Sequence, residues 1–464
     1  MNGLDYIVLA VTIAVVMVIG WVSGKKDKSA AEFLMAGRGI NKLQAGFSMA
    51  ATDFGGSGLV GAMGYCYAVG MSGIWWNLAA APAFFLVGLF LAEKIHKMNS
   101  ATVPEYLGKR YSPAVKYFAI VMHVFTNFAS LSVQFTIACT TLYAITGISM
   151  YLSLFISVLL VILLTSGGLR SVVNTDATLF VIIILSVLFL LAAMVGSDTG
   201  FESILAELPA ETFSMKRLGF WTPFSWFLLC MLSYSTNQNY IQRMTAAKSE
   251  GTARFGALFT AGFYLAISIA IGLIGIYASV KIPGIKDTNT VFAEALKSFL
   301  PHGVIGLGMA GLFAATISTG TSILHATTTL IVNDLWKPLR RDRADDKPLV
   351  TVSRCVLLAI AFSSTIISLL FSNIIDVIYI AGLFYSVSVF LPLILGMRNK
   401  GITSAAALVS MIAAVAGSLL WEYGLTGKVT VLNDLPANVV GLVISAAVLM
   451  LSLFIKKRNH RPVS

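Results

Sequence analysis

Charge is what this chain has least of. Lys, Arg, Asp and Glu make up 11% of its 464 residues, hydrophobic types make up 57%, and the mean hydropathy is +0.84. The gaps between apolar segments are nearly all under about twenty residues, too short for a soluble domain. Cysteine is scarce as well. Cys66, Cys139, Cys230 and Cys355 all fall inside apolar segments, without the spacing of a disulfide framework or a metal site, so they read as small buried hydrophobes. No metal cluster, nucleophile elbow or phosphate loop is legible, which argues against an enzyme. The first apolar run, Tyr6 to Trp21, lacks a basic leader and a small-residue cleavage site, and basic residues follow it. It is expected to stay as a membrane helix rather than be removed as a signal peptide.

What is present reads as an all-α polytopic membrane protein. Apolar length and turn punctuation mark about thirteen spans, near 5–23, 43–69, 73–95, 115–145, 150–166, 175–197, 221–242, 253–280, 303–331, 349–372, 376–397, 402–423 and 436–456. The formal charge of +11 sits in loops of alternate segments: Lys25, Lys26, Lys28, Arg38 and Lys42; Lys337, Arg340, Arg341, Arg343 and Lys347; then Lys456, Lys457, Arg458 and Arg461 in the tail. The positive-inside rule therefore puts the N-terminus outside and the C-terminus in the cytoplasm, which an odd number of crossings satisfies. It also removes the case for a nucleic-acid partner. Stretches near 202–208 and 291–300 outside, and TVPEYLGKRY at 102–111 inside, read as short surface helices, the last with Pro104 near its start.

Polar groups inside a spanning helix are costly unless they face a partner, a cavity or an ion. Three spans carry them. The run GVIGLGMAGLFAATISTGTSILHATTTL, 303–330, is dense in hydroxyls, with Ser318 and Thr319 about half-way along. The run FSMAATDFGGSGLVGAMG puts Asp53, Gly55, Gly56 and Gly58 in mid-membrane, and FLLCMLSYSTNQNYIQR is polar or semi-polar from Ser235 to Tyr240. Glycines alone would suit close helix packing; a carboxylate beside them is not needed for that. Two broken helices five spans apart point to an inverted-repeat transporter whose site lies at the breaks. The expected parts are a leading helix and loop, 1–40; repeats at 41–197 and 221–397, separated by an extracellular loop, 198–220; and two C-terminal helices with a basic tail, 398–464.

The stretches EFLMAGR (32–38), SMAATD (48–53), TVPEYLGKRY (102–111), GGLRSVVNTD (167–176), NQNYIQRMTAAK (237–248) and AATISTGTSILHATTTLIVNDLWKP (314–338) occur in an order that carries a resemblance. The chain resembles the sodium:solute symporter family over nearly its whole length, with closest likeness to the sodium/proline branch. The resemblance implies a LeuT-like fold: a five-helix inverted-repeat core, the first helix of each repeat broken. It implies Na⁺ as coupling ion, held by the backbone carbonyls of Ala51, Phe54 and Ala315 and the hydroxyls of Ser318 and Thr319. Asp53 would support the ion without ligating it directly. Asp176 would lie on its exit path, the alternative being an interfacial helix cap with Thr175. The hydroxyl positions that hold a second sodium in some members fall here on Gly55 and Gly58, so one sodium per cycle is expected.

Candidate substrate contacts facing the middle are Gly55, Gly56, Ser57, Asn77, Gln134, Tyr234, Asn237, Gln238, Tyr240 and Tyr385, of which Asn237, Gln238 and Tyr240 match the family's substrate-contacting stretch. Trp75 and Trp76 also stand at the start of the third span, and an interfacial anchor is the favoured reading for one or the other; Gln242 and Arg243 read as parts of a structural cytoplasmic turn. His123 and His325 read as buried histidines bonded across helices, with proton coupling as the alternative. No Lys or Arg stands at mid-membrane in the fourth span, where an acid-sugar transporter of the family would place a cation, which weighs against a strongly anionic substrate. The expected activity is sodium-coupled import of a small polar organic solute, an amino acid or similar, by alternating access across the cell membrane, with the chain acting as a monomer in the lipid bilayer. The alternatives are a proton-coupled transporter, and a transporter-like sensor that works with a separate signalling partner.

Overall fold

An apolar segment at membrane depth has no water to take up its backbone hydrogen bonds, so it closes them within itself as a helix. The computed structural model describes residues 1–25, 29–98, 100–196, 206, 208–339, 347–370, 374–398, 401–425 and 435–459, and among these the chain consists of helices joined by turns and short loops, with one isolated bridge between Ile40 and Ala247. The longer elements and those around the site are α1 (Gly3–Gly24), α2 (Lys42–Asp53), α3 (Ala62–Val69), α4 (Ala80–Phe90), α5 (Pro113–Thr146), α6 (Met150–Thr165), α7 (Gly168–Val195), α8 (Trp221–Thr236), α9 (Gln238–Thr245), α10 (Glu250–Lys281), α11 (Val304–Ile331), α12 (Lys347–Leu370), α13 (Ile374–Arg398), α14 (Ser404–Leu419) and α15 (Ala437–Asn459).

Ten of the described helical runs are long and apolar enough to cross a membrane, against about thirteen spans expected. The difference has three sources. The α6 helix has 16 residues and falls short; α8 and α9 are pieces of one broken segment; and α2 is cut from the run that follows it. The surface helix expected near 291–300 is Val291–Phe299, and that within 102–111 is Val103–Arg110, its start capped by Thr102, whose Oγ1 accepts the Glu105 N–H at 3.1 Å. The helix expected near 202–208 lies almost wholly outside the described residues, as do Lys26, Lys28, Arg340, Arg341, Arg343 and Arg461.

Helix α11 is the mast of the bundle. The span that begins with it is 89% buried along its most apolar stretch, where α1 is 22% buried. It packs on α7, α5, α1, α6 and α12, and a membrane helix this rich in hydroxyls has to be enclosed by protein, because polar groups facing lipid are costly. Small residues permit the approach: a Cβ at Gly311 would meet Ser186 Oγ of α7 at 2.0 Å, and one at Gly306 would meet the Asp5 carbonyl of α1 at 2.4 Å. The start of α1 is tied to the start of α11 by Asp5, which accepts the Gly303 N–H at 2.6 Å.

Gly70 ends α3 with φ +71°, a left-handed conformation that favours glycine. A Cβ there would also lie 2.4 Å from the Thr212 carbonyl oxygen, so the turn has no room for a side chain. The cysteines divide. Cys66 and Cys139 are buried as expected, while Cys230 is half-buried and Cys355 is exposed on α12. An outward-facing thiol on a membrane helix needs no protein cover, because lipid supplies the apolar surroundings.

Candidate functional site

Helix α2 stops at Asp53 and helical structure resumes at Ser57 as a π-helical turn, Ser57–Gly61. The last four carbonyls of a helix have no partner within it, and at membrane depth each must find one. All four do. The Ala50 carbonyl accepts from Phe54 N–H at 2.9 Å and that of Asp53 from Gly55 N–H at 2.8 Å. Between them, the Ala51 carbonyl accepts from Ser318 Oγ at 2.9 Å and the Thr52 carbonyl from Thr319 Oγ1 at 2.8 Å. Both hydroxyls also reach back to the Ala315 carbonyl, at 3.1 and 3.2 Å, the usual i−3 and i−4 habit of Ser and Thr in helices.

Three carbonyls and two hydroxyls from α2 and α11 thus converge in a fully packed place. Oxygen donors without net charge suit a hard monovalent cation in the way unwound carbonyls do at transporter breaks, and the hydroxyl protons are free to rotate aside. Of the five expected sodium-site residues, Ala51, Ala315, Ser318 and Thr319 come together here. Phe54 is buried at the break with its ring edge-on to Phe263 at 5.2 Å, and Thr52, not Phe54, supplies the carbonyl that Thr319 meets. Gly55 is required beside this cluster, since a Cβ would fall 2.3 Å from Thr319 Oγ1.

Asp53 turns away from the cluster into a cage of phenols. Tyr234 Oη donates to Oδ2 at 2.6 Å and Tyr240 donates to Oδ1, while Tyr264 lines the cavity beside them. That cavity, of about 170 Å³, opens above Asp53, lined by both breaks and also by Thr52 and Thr319 of the oxygen cluster. A second cavity of about 620 Å³, reaching Asp287 and Asn289, shares Ser57 and Trp76 with the first. Trp76 Nε1 donates to the Ser57 carbonyl at 3.0 Å and Asn77 Nδ2 to that of Gly58 at 2.8 Å, so the π-turn is held by side chains of the following helix.

The second break is one residue wide. Asn237 is extended, with φ −74° and ψ 134°, between α8 and α9. All eight residues of α9 are buried although most are polar, and most of their groups find partners, the side-chain oxygens of Gln238 and Asn239 excepted. Gln238 Nε2 donates to the Ala101 carbonyl at 2.7 Å, Gln242 Nε2 to the Leu34 carbonyl at 2.5 Å, and Tyr240 to Asp53. Arg243 lies below the oxygen cluster, 1% exposed. It donates to Asp176 Oδ2 at 2.7 Å, Ser48 Oγ at 2.7 Å, Ser322 Oγ at 2.5 Å and the Asn239 carbonyl at 2.5 Å. Thr52 joins the two levels: its carbonyl meets Thr319, and its hydroxyl lies 2.9 Å from Ser322 Oγ and 3.3 Å from Asp176 Oδ2.

Several expectations are revised by these positions. Arg243 is not part of a solvent-facing turn; it is the buried counter-ion of Asp176. Asp176 sits well inside α7, so the cap reading with Thr175 fails, and Thr175 Oγ1 bonds back to Ser171 and Val172 at 2.9 Å each. Of the ten substrate candidates, Ser57, Asn77, Gln134, Tyr234, Asn237 and Tyr240 line the smaller cavity. Gly55 and Gly56 are packed behind it, Gly56 against Ile137 and Thr316. Gln238 is spent on Ala101, and Tyr385 donates to the Thr236 carbonyl at 3.1 Å while stacking on His123 at 3.9 Å. Trp76 lines the cavity instead of anchoring at the interface, while Trp75 Nε1 binds the Met215 carbonyl at 3.0 Å. His123 and His325 are buried and bonded across helices, His123 Nε2 lying 3.1 Å from Asn237 Oδ1 and His325 Nε2 3.0 Å from the Phe33 carbonyl. Sequence reasoning passed over Trp226, Asn239 and Tyr264, which also line the cavity.

The sodium:solute symporter family profile matches residues 33–414. Among relatives, the sodium/glucose cotransporter of Vibrio parahaemolyticus is 25% identical over 91% of this chain and 86% of its own. The osmoregulated proline transporter OpuE of Bacillus subtilis (strain 168) is 26% identical over 98% of this chain and 96% of its own. A solved Na⁺-coupled sialic acid symporter, substrate-bound and outward-open, superposes with a TM-score of 0.86 over 98% of both chains at 19% identity, which shows a shared fold. With its oxygen cluster between α2 and α11, its two breaks and a family match over most of its length, the chain belongs to the sodium:solute symporter family and is a sodium-coupled symporter of small solutes, not an enzyme.

Proposed function

We propose that the protein imports a small polar organic solute, an amino acid or similar, by alternating access driven by the inward sodium gradient. One observation carries the reading: Thr52 and Thr319 belong both to the oxygen cluster and to the wall of the cavity at Asp53. An ion that orders these two residues also finishes the solute's wall, and by linkage the solute strengthens the ion site in return. The solute would enter by the larger cavity and pass Trp76 and Ser57. The protein would act as a monomer. The spans would number thirteen, with inverted repeats at 41–197 and 221–397.

The orientation follows from the basic loops. A single cysteine at Lys337 in a cysteine-free background is expected to react with an impermeant thiol reagent only after the cells are permeabilised, and one at Lys216 in intact cells. The reverse pattern would turn the molecule over.

A single sodium per cycle is the second part of the reading. Gly55 and Gly58 offer no side-chain oxygen, and the space at Gly55 is taken by Thr319. Solute uptake into proteoliposomes is therefore expected to be hyperbolic in Na⁺, with a Hill coefficient of about one. A sigmoidal dependence would demand a second ion. Uptake driven by a pH gradient in the absence of Na⁺ would replace sodium coupling with proton coupling.

A further inference from the structure

The cavity at the breaks has an unusual charge. Among its described lining residues Asp53 is the single ionisable acid, and no Lys or Arg is present. The phenols of Tyr234 and Tyr240 supply hydrogen bonds but no positive charge, and they occupy two of the roughly four acceptor positions of a carboxylate. The nearby cation, Arg243, is committed to Asp176 and does not line the cavity.

The walls are aromatic. Trp76 and Trp226 stand edge to face at 5.2 Å, and Tyr234 and Tyr240 edge to face at 4.9 Å. Phe84 stacks behind Tyr234 at 3.8 Å and fixes its plane. Aromatic faces within about 6 Å attract a cation, more so where water is excluded. Two amides on the walls, Gln134 and Asn239, are each 4% exposed, and neither side-chain oxygen has a hydrogen-bond partner. Buried acceptors without donors are uncommon in native proteins, so these two are available to a donor on the solute.

We propose that the solute carries a cationic nitrogen, seated against the Asp53 carboxylate between the aromatic walls. The inference rests on the symport reading above and names its substrate class. An anionic solute would meet Asp53 with no Lys or Arg on the wall to offset the repulsion, and a neutral polyol would give the carboxylate hydrogen bonds but no cationic partner of its own; both are disfavoured by the same group that attracts an ammonium. The cavity, about 170 Å³, is small beside the roughly 300–1,000 Å³ of ordinary ligand sites, which limits the solute to a compact amino acid or amine, and one that keeps an N–H or O–H donor also serves the two amide oxygens.

Wild-type protein in proteoliposomes tests this with solute-evoked ²²Na⁺ uptake. The probes are proline, trimethylglycine, choline, the uncharged choline isostere 3,3-dimethylbutan-1-ol, glucose and lactate. A nitrogen cation is expected to evoke uptake, and where choline acts its isostere should need at least about ten-fold more. With sodium saturating, Asp53→Asn is expected to bring the charged and uncharged probes to within about three-fold of each other. Because solute preference is measured at saturating sodium, an effect on the ion alone leaves it unmoved. An unchanged preference in that variant, or sodium uptake evoked by glucose or lactate with the nitrogen compounds inert, would overturn the substrate class and leave symport standing. Uptake of radiolabelled proline or choline that is equal with and without sodium would overturn symport instead.

Discussion

Replacing Arg243 by methionine is expected to cost about 3–5 kcal/mol of stability, the cost typical of breaking a buried ion pair from one side, and to reduce sodium-driven uptake by more than about ten-fold. Asp176 is fully buried, and its bonds to Arg243, Ser48, Thr52 and Ser322 all converge on Oδ2, while Oδ1 has no partner. Without the guanidinium the carboxylate keeps only neutral donors. Lysine cannot substitute in full, because one ammonium does not fork toward Ser48, Asp176 and Ser322 at once. Thermal unfolding in detergent and uptake into proteoliposomes give the two readouts. Adding Asp176→Asn to Arg243→Met should recover stability, since both charges are then gone, yet recover little transport. Near wild-type stability in the single methionine variant would show that the pair carries no such load.

Ser318→Ala or Thr319→Ala is expected to raise the sodium concentration for half-maximal uptake by roughly ten- to a hundred-fold. Each removes one oxygen from the cluster and frees one α2 carbonyl, that of Ala51 or of Thr52. Losing a hydrogen-bond-like contact to a charged group costs about 1.5–3 kcal/mol, which is where the range comes from. Thr319→Ser keeps the oxygen and should stay close to wild type. Wild-type sodium dependence in both alanine variants would move the ion elsewhere.

The two breaks were legible because glycine runs and clustered polar residues are conspicuous in apolar spans, and the hydroxyls of Ser318 and Thr319 stood out for the same reason. Arg243 was misread because a basic residue at the end of a span looks like a loop charge. Its spacing carried the missed signal: it stands four residues after Asn239 and three after Tyr240, so the polar face of α9 runs on through it. Tyr264 and Trp226 gave no signal at all. Both lie in apolar helices, where an aromatic reads as core, and only tertiary packing brings Tyr264 to Asp53 and Trp226 to Trp76. The presence of the Thr52 carbonyl at the oxygen cluster is a matter of which carbonyls the chain frees as it unwinds, and no side-chain pattern encodes that.

The hydroxyls of α11 have a consequence for the journey back. A symporter that delivers its load must swing outward again with nothing aboard, and bare carbonyls in mid-bilayer would make that leg slow or invite stray cations to hitch a ride. Here Ser318 and Thr319 can lay their own protons on the Ala51 and Thr52 carbonyls. At the proposed site those protons would act as a built-in understudy for sodium, keeping the same oxygens paired whenever no ion lies between them. Homeward traffic would then be as well insulated as the loaded passage, with two rotatable O–H bonds guarding the coupling.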